Sequence, residues 1–141
     1  MALRHDGTVL AWGDDGYGQA TVPADLGSCV AVAAGANHSL ALTTGGAVVS
    51  WGNSSNGLAL VPAAAQADVV AIAAGIGHSM ALKRDGTVVA WGATSAGQST
   101  VPSGLSNVVA IAAGGYHSLA RTAAGTIVAW GSNSAGQITV P

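Results

Sequence analysis

Residues 69–102 read VVAIAAGIGHSMALKRDGTVVAWGATSAGQSTVP, and the rest of the chain is made of copies of this stretch. The copy at residues 108–141, VVAIAAGGYHSLARTAAGTIVAWGSNSAGQITVP, is identical at about two positions in three. An earlier copy, CVAVAAGANHSLALTTGGAVVSWGNSSNGLALVP, runs from Cys29 to Pro62. A truncated one, MALRHDGTVLAWGDDGYGQATVP, occupies residues 1–23, with Met1 aligned to Met80. The Trp-Gly pairs begin at Trp12, Trp51, Trp91 and Trp130, at spacings of 39, 40 and 39 residues. A period of that length marks a repeat architecture, in which each unit needs its neighbours to bury its apolar face.

One unit reads as four strands. Val69–Ala74 is an apolar run with no polar face, which suits a strand buried on both sides. After Gly75 and a short turn, Ser79–Lys83 forms a second strand, and Arg84-Asp85-Gly86 supplies a tight hairpin turn. Thr87–Trp91, rich in β-branched residues, is the third. A loop of small and polar residues from Gly92 to Gln98 leads to a short fourth strand, Ser99–Val101, stopped by Pro102. Four antiparallel strands every 40 residues or so make a propeller blade, whose faces are hidden against the next blade. No stretch has the 3.6-residue amphipathic period of a helical solenoid. The expected fold is therefore all-β: a β-propeller segment of four-stranded antiparallel blades, about three and a half in this chain. Residues 1–141 are read as one repeat domain, with a partial blade at 1–23 and blades at 29–62, 69–102 and 108–141.

Composition narrows the function. Half of the 141 residues are hydrophobic, 7% are charged, and none is phenylalanine. The net charge is −2, and Lys83-Arg84 is the only adjacent basic pair, so the clustered cations of a nucleic-acid surface are missing. Gly, His and Asp interrupt every apolar run below the ~20 residues that span a bilayer, so no membrane partner is expected. Cys29, the single cysteine, stands where other copies have Val69 and Val108 and reads as a small buried hydrophobe. No basic segment followed by an apolar core opens the chain, so no signal peptide is read there.

The pattern His-Ser-Leu-Ala-Leu, then Gly-Thr-Val-Val-Ala-Trp-Gly, then Gly-Gln, resembles the repeats of the regulator of chromosome condensation superfamily. The matching residues are His38–Leu42 with Trp51-Gly52, His78-Ser79 with Trp91-Gly92, and His117-Ser118 with Trp130-Gly131. The compact period and the Thr-Val-Pro ending are most similar to bacterial members, the type II β-lactamase inhibitory protein among them. The resemblance implies a β-propeller that works by binding other proteins. The even spacing leaves no room for the inserted wedge through which the superfamily's exchange factor acts on its GTPase.

The chemistry-bearing residues recur once per blade. His38, His78 and His117 cannot converge on one ion, because zinc ligands lie ~2.0–2.1 Å from the metal while stacked sheets are ~10 Å apart. Each ring is expected to bond the adjoining Gly-x-x turn; His5 sits in a turn outside the series. The tryptophans read as packing between blades, with the indole N–H on a backbone acceptor. Ser39, Ser79 and Ser118 follow the histidines, but adjacent strand residues point to opposite faces and cannot act as nucleophile and base. No catalytic constellation, metal site or cofactor site emerges, so a non-catalytic protein-interaction module is the expected function. Inhibition of a secreted enzyme through the same face, or lectin-like sugar binding, are the alternatives.

The loop between strands one and two shares a face with the loop between strands three and four, and there the copies differ most. On that face the candidate partner-binding residues are Asp14, Asp15, Tyr17, Asn37, Asn53, Asn56, Ile76, Tyr116 and Asn133. Tyr17 and Tyr116 are the expected anchors. Arg121 replaces the leucine of the other copies on an inter-blade face, so it needs an acidic or carbonyl partner or a less enclosed face. Full propellers have ~4–8 blades, so this segment forms an open arc. Its end faces are expected to be covered by further blades of a longer parent chain or by a second copy.

Overall fold

A computed structural model describes all 141 residues. The strands are β1 (Ala2–Leu3), β2 (Val9–Leu10), β3 (Cys29–Ala34), β4 (His38–Thr43), β5 (Val48–Gly52) and β6 (Val69–Ala74). They continue with β7 (His78–Lys83), β8 (Val88–Gly92), β9 (Val108–Ala113), β10 (His117–Thr122) and β11 (Ile127–Gly131). These form a two-stranded sheet, β1-β2, and three antiparallel three-stranded sheets, β3-β4-β5, β6-β7-β8 and β9-β10-β11. The propeller segment expected from the repeat is present, at about three and a half blades.

Each blade has three strands where four were expected. Ser99–Val101 is no strand: the Thr100 amide bonds back to Gly97 at 3.0 Å, closing a turn. The preceding carbonyl, that of Gln98, accepts from the Ser118 hydroxyl at 2.8 Å and the Trp130 indole at 3.0 Å, both on the next blade. Polar groups that a fourth strand would need for a ladder are thus committed to the local turn and to the neighbouring blade.

The first strand of each blade also differs from the expectation of burial on both sides. Pairing shifts register between Cys29 and Ala31 and between Val69 and Ala71. These bulges turn Val30 and Val70 outward, and Val109 takes the same exposed place in the third full blade.

The core lies between sheets. Met1, Leu3 and Val9 of the first sheet pack against Ala41 and Trp51 of the second. Leu40, Leu42 and Val48 meet Ala81 and Trp91. Met80 and Leu82 meet Ala120 and Trp130. Small residues let the sheets crowd together near the axis. A Cβ on Gly35 would lie 2.6 Å from the Gly75 carbonyl, and one on Gly75 would lie 2.5 Å from that of Gly114. Only glycine allows such an approach.

Candidate partner-binding face

The two loops of a blade meet on one side of the arc because a backbone bond joins them. The Asn53 amide donates to the Asn37 carbonyl at 2.8 Å, Ala93 to Gly77 at 2.7 Å and Ser132 to Tyr116 at 2.8 Å. The glycine after each tryptophan makes this junction possible. Gly92 has φ +97°, and a Cβ there would sit 2.7 Å from the Gly77 carbonyl.

Asp14, Asp15, Tyr17, Asn56, Ile76, Tyr116 and Asn133 are exposed on this side, and Asn37 and Asn53 are half-buried. Several polar members hold their own loops. The Asp15 carboxylate accepts from the Thr21 hydroxyl and the Ala20 amide, both at 2.7 Å, and these bonds hold its pKa below the ordinary value. Asp14 accepts from the Gln19 side chain at 2.7 Å, and Asn53 from the Ser55 amide at 2.7 Å. Asn133 accepts from the Ile138 amide at 3.1 Å.

Ile76 and Tyr116 lie on the inner loops of adjacent blades. The Ile76 amide donates to the Gly115 carbonyl at 3.2 Å, joining the inner loops of adjacent blades. The Ile76 and Tyr116 side chains are exposed, at 44% and 52%, and Ile76 borders a shallow hollow lined also by Ala34, Gly75, Ala113 and Gly114. Tyr17 lies in the loop after β2, in the first repeat, at the opposite end of the arc from Tyr116's blade.

The histidines take a different partner from the one the sequence suggested. His38 Nε2 lies 2.9 Å from Ser79 Oγ, and His78 Nε2 lies 2.9 Å from Ser118 Oγ, so each ring reaches the next blade. Because Ser118 Oγ donates to the Gln98 carbonyl, His78 Nε2 is the donor in its pair. Histidine and serine therefore do meet, across the interface rather than within a strand. Nδ1 of His38 and of His78 is buried without a partner, so no carboxylate orients either ring as a base. Burial lowers the His38 pKa and, with the neighbouring His38 and His117, pushes His78 down to about 4. No three His, Cys, Asp or Glu side chains converge as metal ligands.

Trp51, Trp91 and Trp130 are buried, and their indoles donate to the carbonyls of Gln19, Leu58 and Gln98 on the preceding repeat. They offer no platform for a sugar ring. The repeated Gly-Gln escaped the sequence reading as a structural signal. Gln19, Gln98 and Gln137 each accept, through the side-chain oxygen, the amide two residues earlier at 2.8–2.9 Å and so close the outer loop.

The chain matches the family described as "Regulator of chromosome condensation (RCC1) repeat" at residues 29–58, 69–98 and 108–137, more than half of its length. No curated protein sequence matches it. Among solved structures it is similar to Prp20p from Saccharomyces cerevisiae, with 25% identity and a TM-score of 0.82 over 99% of this chain and 43% of that one. The ectodomain of the receptor kinase ACR4 from Arabidopsis thaliana gives 24% identity and 0.71, covering 95% of this chain and 47% of that one. The ectodomain of the Physcomitrella patens receptor kinase CR4 gives 32% and 0.69, covering 85% and 34% respectively. The chain spans less than half the length of each.

Proposed function

The chain belongs to the regulator of chromosome condensation (RCC1) repeat family, and from that premise we propose that it is a non-catalytic module that binds a protein partner through its loop face. Repeats of this kind typically mediate protein interactions, and the Prp20p structure is described with that protein's binding to Gsp1p and histones. The observation that carries the proposal is the exposure of Ile76 and Tyr116, two large side chains on the inner loops of adjacent blades. Their loops are fixed by backbone bonds, and Ile76 borders a shallow hollow of small residues. Exposed apolar and aromatic side chains on fixed loops, with polar residues on the same side, match the make-up of an interaction hot spot.

Asp14, Asn37, Asn56 and Asn133 lie further along the same side and form its polar surround. Asp15 and Asn53 contribute by holding the loops in shape. The test is capture of binding proteins by the immobilised chain, compared with an Ile76→Asp, Tyr116→Ala double variant. Both side chains are exposed, so the variant keeps the fold, which circular dichroism checks. Loss of the captured proteins is the expected result. Capture unchanged from wild type removes the Ile76–Tyr116 pair from the binding face.

A further inference from the structure

The inner loop that carries Ile76 closes on His78. The Gly75 amide donates to the His78 carbonyl at 2.8 Å, and the imidazole lies directly on Gly75, where a Cβ would meet the ring. The ring is fully buried, and its Nε2–H donates at 2.9 Å to the hydroxyl of Ser118, which follows Tyr116-His117 on the next blade. A second bond, from the Ile76 amide to the Gly115 carbonyl at 3.2 Å, ties the same two loops. Both ties thus cross between blades beside residues of the loop face. Because Nε2 already carries a proton, acid must act at Nδ1, which is buried without a partner. The titratable groups that face the ring are His38 of β4 and His117 of β10, and either would repel it once charged. The strands β6, β8 and β9 beside it contain no titratable side chain.

We infer that the His78–Ser118 joint is a proton-operated latch on the loop face: a proton taken up at Nδ1 opens the joint and releases a bound partner. This rests on the loop-face reading above. A charged imidazole in the closed joint would hold its new N–H against Gly75 with nothing to bond and no water around the charge. Its way out is to leave Ser118 and reach solvent. Only Ile76 and Gly77 separate Gly75 from His78, so the inner loop moves with the ring and the Ile76–Gly115 bond breaks. The direction follows from the shift, since the imidazole titrates at about 4 when closed and at the ordinary 6.5 when open. Above pH 6.5 both forms are neutral and the joint stays shut. As the pH falls from 6.5 to 4 the open form gains about tenfold per unit, and below that it gains no more. His38 makes the same contact with Ser79 one blade earlier, at 2.9 Å, and follows Asn37 of the loop face.

The test follows the Ile76 amide by hydrogen exchange from pH 6.5 to 4, as protection relative to an unstructured chain. It compares wild type with His78→Gln, which keeps a side-chain N–H and does not titrate. In wild type the Ile76 amide should lose about tenfold protection per pH unit, ahead of the amides of β7, and in the variant it should hold level. Ile76 and β7 losing protection together, or an equal loss in the variant, would overturn the latch. If circular dichroism shows the variant unfolded, the NMR titration of the His78 ring in wild type takes its place. The loss at Ile76 must then level off where the ring is half-protonated, and a loss that levels off elsewhere overturns the inference. Proteins captured at neutral pH should also leave wild type at about pH 5 and stay on His78→Gln. Release from both overturns the latch. A chain that captures nothing at neutral pH refutes the loop-face reading instead, and the exchange measurement still decides whether the joint opens.

Discussion

Ser118 shows how much one small side chain does in this molecule. Its hydroxyl accepts from His78 and donates to the Gln98 carbonyl, so it joins its own blade to two parts of the preceding one. Ser118→Ala leaves a buried imidazole donor unpaired, and the expected cost is about 1–3 kcal/mol in urea unfolding. A change within error would mean that water replaces the hydroxyl. The same site makes the fold sensitive to acid. The imidazole of His78 has an ordinary pKa of 6.5 and one of about 4 in the folded protein. The unfolded chain therefore takes up the proton first. This group's contribution to stability is complete above pH 6.5 and is lost as the pH falls towards 4. His38, shifted in the same direction by burial, adds to the effect. Melting temperature should fall across that interval, and His78→Gln should flatten the dependence; an equal fall in the variant would place the sensitivity elsewhere. The structural role of these histidines was legible because they recur with the blade. Their partner was not, since it lies 40 or 41 residues away and nothing in the local pattern points to it.

At the scale of strands, what the sequence discloses depends on whether the signal is local. The hairpin between β7 and β8 was legible from Asp85-Gly86. Gly86 adopts φ +81°, its amide closes on Lys83 at 3.0 Å, and the Asp85 side chain bonds the Thr87 amide and hydroxyl. The outer segment was misread because Ser-Thr-Val has strand-like composition, whereas its conformation is set by the tryptophan and serine of the following blade. Amide hydrogen exchange separates the two descriptions. Amides from Ser99 to Leu105, outside any ladder, should exchange faster than those of β7, which is paired on both edges. Equal protection would restore the fourth strand. The inner strands carry a sharper prediction. Gly75→Ala puts a methyl against both the His78 ring and the Gly114 carbonyl. Neither can withdraw without opening the interface, and about 1–3 kcal/mol of overpacking strain is expected. Denaturant unfolding measures it, and a neutral result would show that the blades can slide apart near the axis.

For the whole molecule, the repeat and the meeting of each blade's two loops were legible, because an antiparallel meander puts both loops at the same end of the sheet. The bond from the Ile76 amide to the Gly115 carbonyl was not, since it exists only through the curvature that joins their blades. The fate of the four tryptophans follows from position in the arc alone: three are buried and Trp12 is not. In dilute solution acrylamide should quench one emission component strongly, and Trp12→Phe should abolish it. Uniform quenching would contradict the burial of the other three. The ties described above, histidine to the next serine and indole to the preceding carbonyl, all run between immediate neighbours, so stability is a sum of nearest-neighbour joints. Those joints also differ in strength. The second and third sheets, and the third and fourth, are each linked by a histidine–serine pair, whereas the first sheet carries no histidine to offer Ser39. Pulled from its termini, this protein should release its first sheet at low force and then pay out length in near-equal increments, one per blade, so that its force trace counts the repeats mechanically.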